Sequence, residues 1–319
     1  MKYYLAPLEG VTNLYFRQQF NKHFNSVDKY FIPFLDPKNK NLHIKELKEI
    51  DPDNNKLNRK VVPQIISKDS EGTIWLINKL NSLGYDEINL NFGCPSGTVT
   101  SKNKGAGILK DLNLLDNYLK EVFLNTNTKI SIKMRIGMDS VEHFDEIINI
   151  LNKYDIYELI IHPRTGLEKY TGKLHLDLLE DLDKKTKFDI IYNGEVNSLE
   201  DIEYIKNRFP YLKGIMLGRG LISRPYLLSE KMTDLEKLNK IKEYYYDLSK
   251  ENIEIFGWGS SKFFHKQLWV YMINMFNVDK KLYKKLFKSN YYEEFQGYVK
   301  EIFDTCTFAS EESGIKKYL

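Results

Sequence analysis

Eight short, apolar, β-prone runs, spaced so that one helix fits between each pair, constrain the fold of this 319-residue chain more than any other feature. The runs cover residues 3–7, 29–33, 61–66, 87–91, 130–134, 159–161, 190–192 and 214–217. Between them the hydrophobic spacing changes from two to three or four residues, as in residues 74–83 and 144–151, which indicates amphipathic helices. Alternating strands and helices predict a parallel sheet, and eight repeats over about 230 residues match a closed (β/α)8 TIM barrel of the α/β class.

A doubly wound open sheet is the competing architecture. Such sheets commonly carry a G-x-G-x-x-G segment at the start of the first helix, and this chain has none there. Polar residues also follow most of the predicted strands instead of clustering at one switch point. The barrel is therefore the favoured prediction.

The strand and helix alternation stops after Tyr226, and the rest of the chain shows helical spacing only. Thr233 is a suitable N-cap, and helices are expected near residues 235–251, 260–275, 280–288 and 291–303. We therefore expect a catalytic barrel over residues 1–232 and a small helical bundle over residues 233–319.

The composition limits the classes to which the protein can belong. Hydrophobic content of 42% and charged content of 29% fit a folded chain with a polar surface. No stretch approaches the roughly 18 apolar residues of a membrane span, and Pro7 and Glu9 come too early for a signal peptide. We therefore expect a cytoplasmic protein. The two cysteines, Cys94 and Cys306, lie in unlike surroundings, so neither a disulfide framework nor a cysteine-based zinc site is expected, and no metal is predicted.

Cys94 lies in the run Asn91-Phe92-Gly93-Cys94-Pro95, directly after a predicted strand. A lone cysteine is most often a small buried hydrophobe. Here Gly93 removes side-chain bulk, Pro95 stiffens the following turn, and a glycine-rich segment follows at residues 105–107. This context predicts a thiol displayed at the mouth of a site.

Polar or conformationally special residues follow almost every predicted strand. They are Ala6-Pro7-Leu8-Glu9, Pro63-Gln64, Asn91 with Cys94, Lys133-Met134-Arg135, His162-Pro163-Arg164-Thr165, Asn193-Gly194-Glu195 and Gly218-Arg219-Gly220. Each has a plain structural alternative, since Gln64 could be a satisfied core amide and His162 a buried structural imidazole. Jointly they point to function, because the carboxyl ends of barrel strands carry the chemistry and packing does not require polar residues at so many of them.

The segment Gly218-Arg219-Gly220 fits a phosphate seat, because glycines let backbone N–H groups approach and Arg219 adds a forked donor. Residues 193–195 would flank the same phosphate or a ribityl chain. Gln64 and Lys133 are expected to point toward the barrel axis, where an amide and a cation could bond the carbonyls of a flat heterocycle. This layout predicts flavin mononucleotide (FMN).

Taken in their order along the chain, the motifs resemble those of the tRNA-dihydrouridine synthases, a family of flavoenzymes with a barrel and a C-terminal helical domain. The motifs are Ala6-Pro7, Pro63-Gln64, Asn91-x-Gly93-Cys94-Pro95 with Val99 and Gly105-Ala106-Gly107, Lys133-x-Arg135-x-Gly137, His162-x-Arg164-Thr165, Asn193-Gly194 and Gly218-Arg219. The resemblance covers essentially the whole chain. Leu8 and Pro163 depart from it, standing where the family more often has methionine and a small residue.

The resemblance implies roles position by position. FMN would be held by Pro7, Leu8, Glu9, Gln64, Lys133, His162, Asn193, Gly194, Glu195, Gly218 and Arg219. The target uridine and its phosphate would lie against Asn91, Arg135, Arg164 and Tyr170. Cys94 would be the general acid, NADPH or NADH the transient reductant, and tRNA the macromolecular partner.

Reduction of uracil needs a hydride at C6, which reduced flavin delivers, and a proton at C5 from a positioned donor. A thiol of ordinary pKa, about 8.5, is largely protonated at neutral pH, which suits this duty. A stacked base cannot reach a barrel floor, so the uridine would be turned out of the RNA into a deep pocket. Lysines between residues 280 and 288 could contact phosphates. Residues 264–271 resemble the family's basic and aromatic segment of this domain, but have lysine where that segment is expected to have arginine.

Two rival functions stay open. An FMN-dependent dihydroorotate or dihydropyrimidine dehydrogenase would act on a free pyrimidine, which needs no basic helical domain. A non-catalytic RNA-binding protein on the same fold would lack a flavin spectrum, and the presence of Cys94, Lys133 and Arg219 argues against it. The motifs leave open which uridine is reduced, whether ribosomal RNA is a target, and which nicotinamide is preferred.

Overall fold

A computed structural model describes residues 1–310 of the chain and shows a closed barrel of eight parallel strands in the order β1 to β8. The strands are β1 (Lys2–Leu5), β2 (Lys29–Leu35), β3 (Lys60–Ile65), β4 (Glu87–Phe92), β5 (Lys129–Arg135), β6 (Ile156–His162), β7 (Asp189–Tyr192) and β8 (Gly214–Leu217). All eight overlap the predicted runs, so the TIM-barrel prediction is confirmed and the open sheet is excluded.

Helices connect the strands and fill the C-terminal part of the described chain. They are α1 (Leu14–His23), α2 (Ile44–Ile50), α3 (Ser70–Ser82), α4 (Gly97–Thr100), α5 (Leu112–Asn125), α6 (Phe144–Leu151), α7 (Leu182–Lys185), α8 (Leu199–Arg208), α9 (Arg219–Ser223), α10 (Asp234–Met272), α11 (Lys280–Lys288) and α12 (Tyr292–Thr305). Short 3₁₀ helices occur at Lys38–Lys40, Gly105–Lys110, Leu176–Leu179 and Ile273–Met275.

The strand register determines which side chains meet at the carboxyl ends of the strands. Asn91 of β4 lies opposite Lys133 of β5, and Arg135 of β5 lies opposite His162 of β6. Successive residues of a strand point to opposite faces, so Lys133 and Arg135, two residues apart, project to the same side of the sheet. The register thus brings several predicted site residues to one end of the barrel.

A cluster of buried charges lies at the amino ends of the strands. The ammonium of Lys29 is 3.0 Å from a Glu87 carboxylate oxygen and 2.7 Å from one of Glu158, and both carboxylates are fully buried. The Tyr4 hydroxyl donates to Glu158 at 2.7 Å. Burial, followed by the nearby Glu158 carboxylate, raises the pKa of Tyr4, which therefore stays a neutral donor. Ion pairs and a hydrogen bond therefore join the strands at this end of the barrel, in addition to apolar packing.

The chain divides into two compact units. The barrel unit comprises Met1–Pro7, Asp28–Gly194 and Tyr204–Met216, and the second unit comprises Leu8–Val27, Glu195–Glu203 and the chain from Leu217 onward. Helix α1 belongs to the second unit, where Phe16 and Phe20 pack edge-on against Tyr244 of α10. The predicted domain boundary between residues 232 and 233 remains a prediction.

Helix α10 begins where the sequence predicts. Thr233 caps it by accepting a hydrogen bond from the Glu236 N–H, while the Glu236 carboxylate accepts one from the Thr233 N–H, which completes a capping box. Two separate helices were expected near residues 235–251 and 260–275. The structure agrees, since α10 consists of two helical parts separated by a kink at Gly257, whose φ of 66° only glycine adopts readily. Helix α11 has the predicted bounds, residues 280–288.

Membrane-spanning helices and metal-binding clusters are both absent from residues 1–310. None of the helices there combines the length and the apolar character that crossing a membrane requires. In the same part of the chain, no three His, Cys, Asp or Glu side chains come together closely enough to hold a metal ion.

Candidate active site

The Cys94 loop follows β4 and is held by the side chain of Asn91. The Asn91 Oδ1 accepts hydrogen bonds from the backbone N–H groups of Gly93 at 3.0 Å and of Cys94 at 2.9 Å. The Cys94 carbonyl accepts from the Ala106 N–H at 3.0 Å. At Gly105, which has a φ of 56°, a Cβ would lie only 2.7 Å from the Cys94 carbonyl oxygen, so a side chain is excluded there. These contacts present a partly buried thiol on a loop of defined shape.

Gln64 and Asn91 are joined side chain to side chain. The Asn91 Nδ2 donates to the Gln64 Oε1 at 2.7 Å, and the Gln64 Nε2 donates to Asn89 Oδ1, also at 2.7 Å. Gln64 is fully buried. Since each amide nitrogen carries two hydrogens, Gln64 and Asn91 each have one further N–H available for a ligand.

Lys133 is a partly buried cation without a counter-charge. It forms no hydrogen bond or ion pair with any residue from 1 to 310. Burial, followed by the positive charge of Arg135, lowers the pKa of Lys133 to about 8. The nearby Cys94 side chain partly opposes this shift, and a polar or anionic ligand would stabilise the desolvated cation further.

Arg135 binds three backbone carbonyls and so joins the loops after β4 and β6. Its guanidinium donates to the carbonyls of Gly93 at 2.9 Å, Thr165 at 2.8 Å and Lys169 at 2.7 Å. The guanidinium also lies over the Tyr170 ring, 5.3 Å from its centre. Burial lowers the pKa of Arg135. The predicted contact of Arg135 with a uridine stays a prediction, and the three carbonyl contacts give this side chain a loop-positioning role as well.

The remaining predicted residues of the barrel unit lie at the ends of β6 and β7 or in adjoining loops. His162 and Tyr170 form an edge-on ring pair with centres 6.3 Å apart, and both His162 and Arg164 are buried. The Arg164 Nε donates to the Gly172 carbonyl at 2.7 Å. The Asn193 side chain donates to the Met216 carbonyl at 2.9 Å. Pro7 is partly buried after β1, and at Gly194 a Cβ would collide with the Tyr192 hydroxyl.

Five predicted cofactor residues belong to the second unit: Leu8, Glu9, Glu195, Gly218 and Arg219. Within that unit Arg219 and Glu195 form an ion pair at 3.5 Å, and Gly218 is the residue before α9. A Cβ at Gly220 would collide with the Val196 carbonyl oxygen, so the chain passes that point too closely for any side chain. Arg219 is the first residue of a helix of only five residues, and its role in holding a phosphate stays a prediction.

Asn89 and Ser131 are buried polar residues that the sequence reasoning missed. Asn89 Nδ2 donates to the Ser131 hydroxyl at 2.9 Å, and that hydroxyl donates to Glu87 at 3.0 Å. A signal was present, because polar residues recur at alternate positions in β4 (residues 87, 89 and 91) and in β5 (residues 129, 131, 133 and 135). That alternation indicates polar side chains on the inward face, where branched apolar residues usually dominate a barrel.

The chain is similar to known proteins along nearly its whole length. A family model described as "Dihydrouridine synthase (Dus)" matches residues 4–316. The chain belongs to the dihydrouridine synthase family. This confirms the resemblance drawn from the motifs at the strand ends.

Curated relatives of this chain carry names of the same family. The chain is 35% identical over 147 residues to the "tRNA-dihydrouridine(16) synthase" of Pseudomonas putida, covering 46% of this chain and 45% of that protein. It is 30% identical over 205 residues to a "Probable tRNA-dihydrouridine synthase" of Helicobacter pylori, covering 61% and 60%. With the Escherichia coli "tRNA-dihydrouridine(16) synthase" the identity is 27% over 236 residues, or 71% and 74%. The matched region thus spans about half the length of the first two relatives.

Solved structures with the same fold are more distant. A morphinone reductase mutant in complex with tetrahydroNAD matches with a TM-score of 0.50 and 10% identity, over 71% of this chain and 85% of that one. An old yellow enzyme homologue from Zymomonas mobilis matches with a TM-score of 0.50 and 12% identity, over 74% and 91%. At such identities the likeness shows the barrel fold alone.

Proposed function

We propose that this chain reduces a uridine of tRNA to 5,6-dihydrouridine, with FMN as the cofactor and NADPH or NADH as the reductant. Family membership supports the reaction class. The observation that carries the proposal is Cys94, presented on a loop held by Asn91, with Lys133 lacking a counter-charge on the neighbouring strand. A tRNA substrate would also place the protein in the cytoplasm.

The donors at the barrel ends fit a flavin. Lys133 offers an ammonium without a partner in residues 1–310, and Gln64 offers a spare amide N–H. Both suit the carbonyl oxygens and ring nitrogens of a flat heterocycle. In the barrel unit Pro7, His162, Asn193 and Gly194 would complete the contacts, and the predicted contributions of Leu8, Glu9, Glu195, Gly218 and Arg219 rest on the resemblance.

When bound and reduced, FMN supplies the hydride for C6 of the uracil ring. The proton for C5 must come from a group whose position is fixed, since a misplaced donor loses most of the benefit of general acid catalysis. The S–H of Cys94 is such a group, because two backbone hydrogen bonds to Asn91 restrain its loop. Asn91, Arg135, Arg164 and Tyr170 would surround the uridine and its phosphate.

The second unit offers a basic groove for the RNA. This groove, of about 620 Å³, is lined by Lys280, Lys281, Lys284, Lys285, Lys288, Glu294 and Tyr298. In α11 the residues Leu282 and Leu286 are buried, which directs the lysines of the opposite face outward. Five cations and one carboxylate make a surface suited to phosphate groups, so we assign RNA binding to it.

The decisive experiment is an absorbance spectrum of the purified protein followed by anaerobic mixing of the reduced form with unmodified tRNA. Flavin bands that reappear only with RNA support the proposal. Reoxidation by free uracil or orotate without RNA would favour the dehydrogenase, and no bands after FMN addition would refute flavin binding. Cys94→Ala should keep the flavin and lose RNA reduction, whereas Cys306→Ala, which changes the other cysteine, should retain both.

The basic groove is tested by salt dependence. Replacing Lys281, Lys284 and Lys288 with alanine should weaken tRNA binding and reduce the slope of log K against log salt by about 2 to 3, if each lysine neutralises one phosphate. The control replaces Lys45, Lys48 and Lys120, which are exposed lysines of the barrel unit. Equal slopes for the two triple variants would show that the groove does not bind RNA.

A further inference from the structure

A continuous chain of side-chain hydrogen bonds runs through the barrel interior from the buried charges to the Cys94 loop. Its members, in order, are Glu87, Ser131, Asn89, Gln64 and Asn91. The Ser131 hydroxyl donates to Glu87 at 3.0 Å, Asn89 donates to Ser131 at 2.9 Å, Gln64 to Asn89 at 2.7 Å, and Asn91 to Gln64 at 2.7 Å. The last acceptor, Asn91 Oδ1, receives the N–H groups of Gly93 and Cys94.

The groups at the two ends of this series of hydrogen bonds determine which side chain donates and which accepts at every link. At one end the Glu87 carboxylate, paired with the Lys29 ammonium, can only accept hydrogen bonds. At the other end the backbone N–H groups of residues 93 and 94 can only donate. Every amide between them therefore has one orientation that satisfies all its partners, and a flip of any one would place two donors or two acceptors face to face.

Burial makes this arrangement stringent. Glu87, Ser131, Asn89 and Gln64 are at most 1% exposed, and Asn91 is 7% exposed. In such surroundings a polar group without a partner is costly, so a break at one link is felt by the next. A barrel interior is ordinarily filled by branched apolar side chains, which would provide stability without this demand.

We propose that Glu87, Ser131 and Asn89 are positioning residues for the Cys94 loop, acting through Gln64 and Asn91. They touch no reacting atom. Their effect is to restrict the rotation of the Asn91 side chain, whose oxygen holds the backbone N–H groups on which the direction of the thiol depends. The consequence for proton donation rests on the proposed function, but the restraint on the loop does not.

The test measures the rate at which iodoacetamide alkylates Cys94, in a Cys306→Ala background so that only one thiol reacts. Ser131→Ala removes the link between Asn89 and Glu87 and should change the alkylation rate about fivefold, the factor that one net hydrogen bond represents. Ser131→Thr keeps the hydroxyl and should restore the original rate. Thr73→Val, which removes a buried hydroxyl bonded to Tyr118 outside the chain of hydrogen bonds, is the matched control and should leave the rate unchanged.

Equal alkylation rates for the Ser131→Ala, Thr73→Val and unaltered proteins would overturn the proposal, whatever the loss of stability. Amide hydrogen exchange gives a second measurement, in which Ser131→Ala should speed exchange of residues 91–94 and leave helix α5 unchanged. Unchanged exchange at residues 91–94 would also overturn it. Neither readout uses flavin or RNA, so the loop restraint and the proposed reaction can fail independently.

Discussion

His265 is predicted to make the protein sensitive to acid. Its ring lies in the core of the second unit, with ring centres 5.7 Å from Trp258, 6.2 Å from Phe295 and 6.3 Å from Tyr245. Neither ring nitrogen has a hydrogen-bond partner among residues 1–310. Burial lowers the pKa of His265 from 6.5 to about 4, so the folded protein holds the imidazole neutral.

The size of the effect follows from proton linkage. Between pH 6.5 and pH 4 the unfolded chain binds a proton at this residue that the folded chain does not, so acid favours unfolding. Each pH unit in that interval costs about 1.4 kcal/mol, which gives a loss of about 3 kcal/mol by pH 4. Above pH 6.5 the residue is neutral in both states and contributes no pH dependence.

His265→Phe tests this reasoning, because phenylalanine fills a similar space and cannot be protonated. The free energy of unfolding is measured by urea titration between pH 4 and pH 8, following tryptophan fluorescence, since Trp258 and Trp269 both lie near the site. The variant should gain about 3 kcal/mol over the unaltered protein between pH 7 and pH 4. The exposed His143→Gln is the control. Parallel pH curves for the His265→Phe and unaltered proteins would refute the reasoning.

Three further perturbations have expected outcomes. Lys133→Met should bind FMN more weakly at pH 7 in a fluorescence titration. In the unaltered protein the FMN affinity should fall as pH rises through about 8, where Lys133 loses its charge, and this fall should be absent from the variant. Lys29→Met leaves the buried Glu158 carboxylate without its cation, while Glu87 keeps its ion pair with Lys60 at 3.2 Å. The variant should lose about 3–5 kcal/mol in urea unfolding, and a loss under 1 kcal/mol would contradict the buried-charge account. Gly220→Ala should lower the melting temperature, because its Cβ would collide with a backbone carbonyl. Gly297→Ala, in open space on α12, is the control and should raise the melting temperature. Equal shifts for the two variants would refute the close approach at Gly220.

The barrel could be predicted from the sequence because its signal is local and repeated. Each strand is a short apolar run, and each intervening helix has its own hydrophobic spacing, so errors at individual boundaries do not change the topology. The bounds of helix α11 are predicted correctly. Asp279, which caps its start, and Ser289, which follows its last residue, are both polar residues typical of helix ends.

The buried polar interior could not be predicted in the same way. The contact of Lys29 with Glu87 and Glu158 joins residues 58 and 129 positions apart, and only closure of the barrel brings them together. Strand spacing predicts the order of the strands, but not which ionic groups meet at their amino ends.

The segment at residues 264–271 shows a second limit. It resembles the family's basic and aromatic segment of this domain, and in the structure His265, Leu268 and Trp269 are completely buried. Lys266 donates to the Phe287 carbonyl at 2.8 Å. Helical spacing shows which residues share a face of a helix. It does not show whether an aromatic face is covered by the protein core or by a nucleic-acid base, because both give the same sequence pattern. The lysines of α11, beside buried leucines, are a clearer signal of an exposed basic surface.

The assignment of α1 to the second unit has a consequence for how the chain is made. Phe16 and Phe20 emerge from the ribosome early, but Tyr244, the ring they pack against, follows more than 200 residues later. At ordinary rates of synthesis this delay lasts about 10 to 40 seconds, during which two large apolar rings lack their native cover. A fragment starting at residue 233 would lack the same two rings, so the C-terminal helices are not a module that can simply be cut away. The apolar surface that is exposed to aggregation during synthesis therefore lies near the beginning of the chain. The helix that covers it in the folded protein, α10, is made much later.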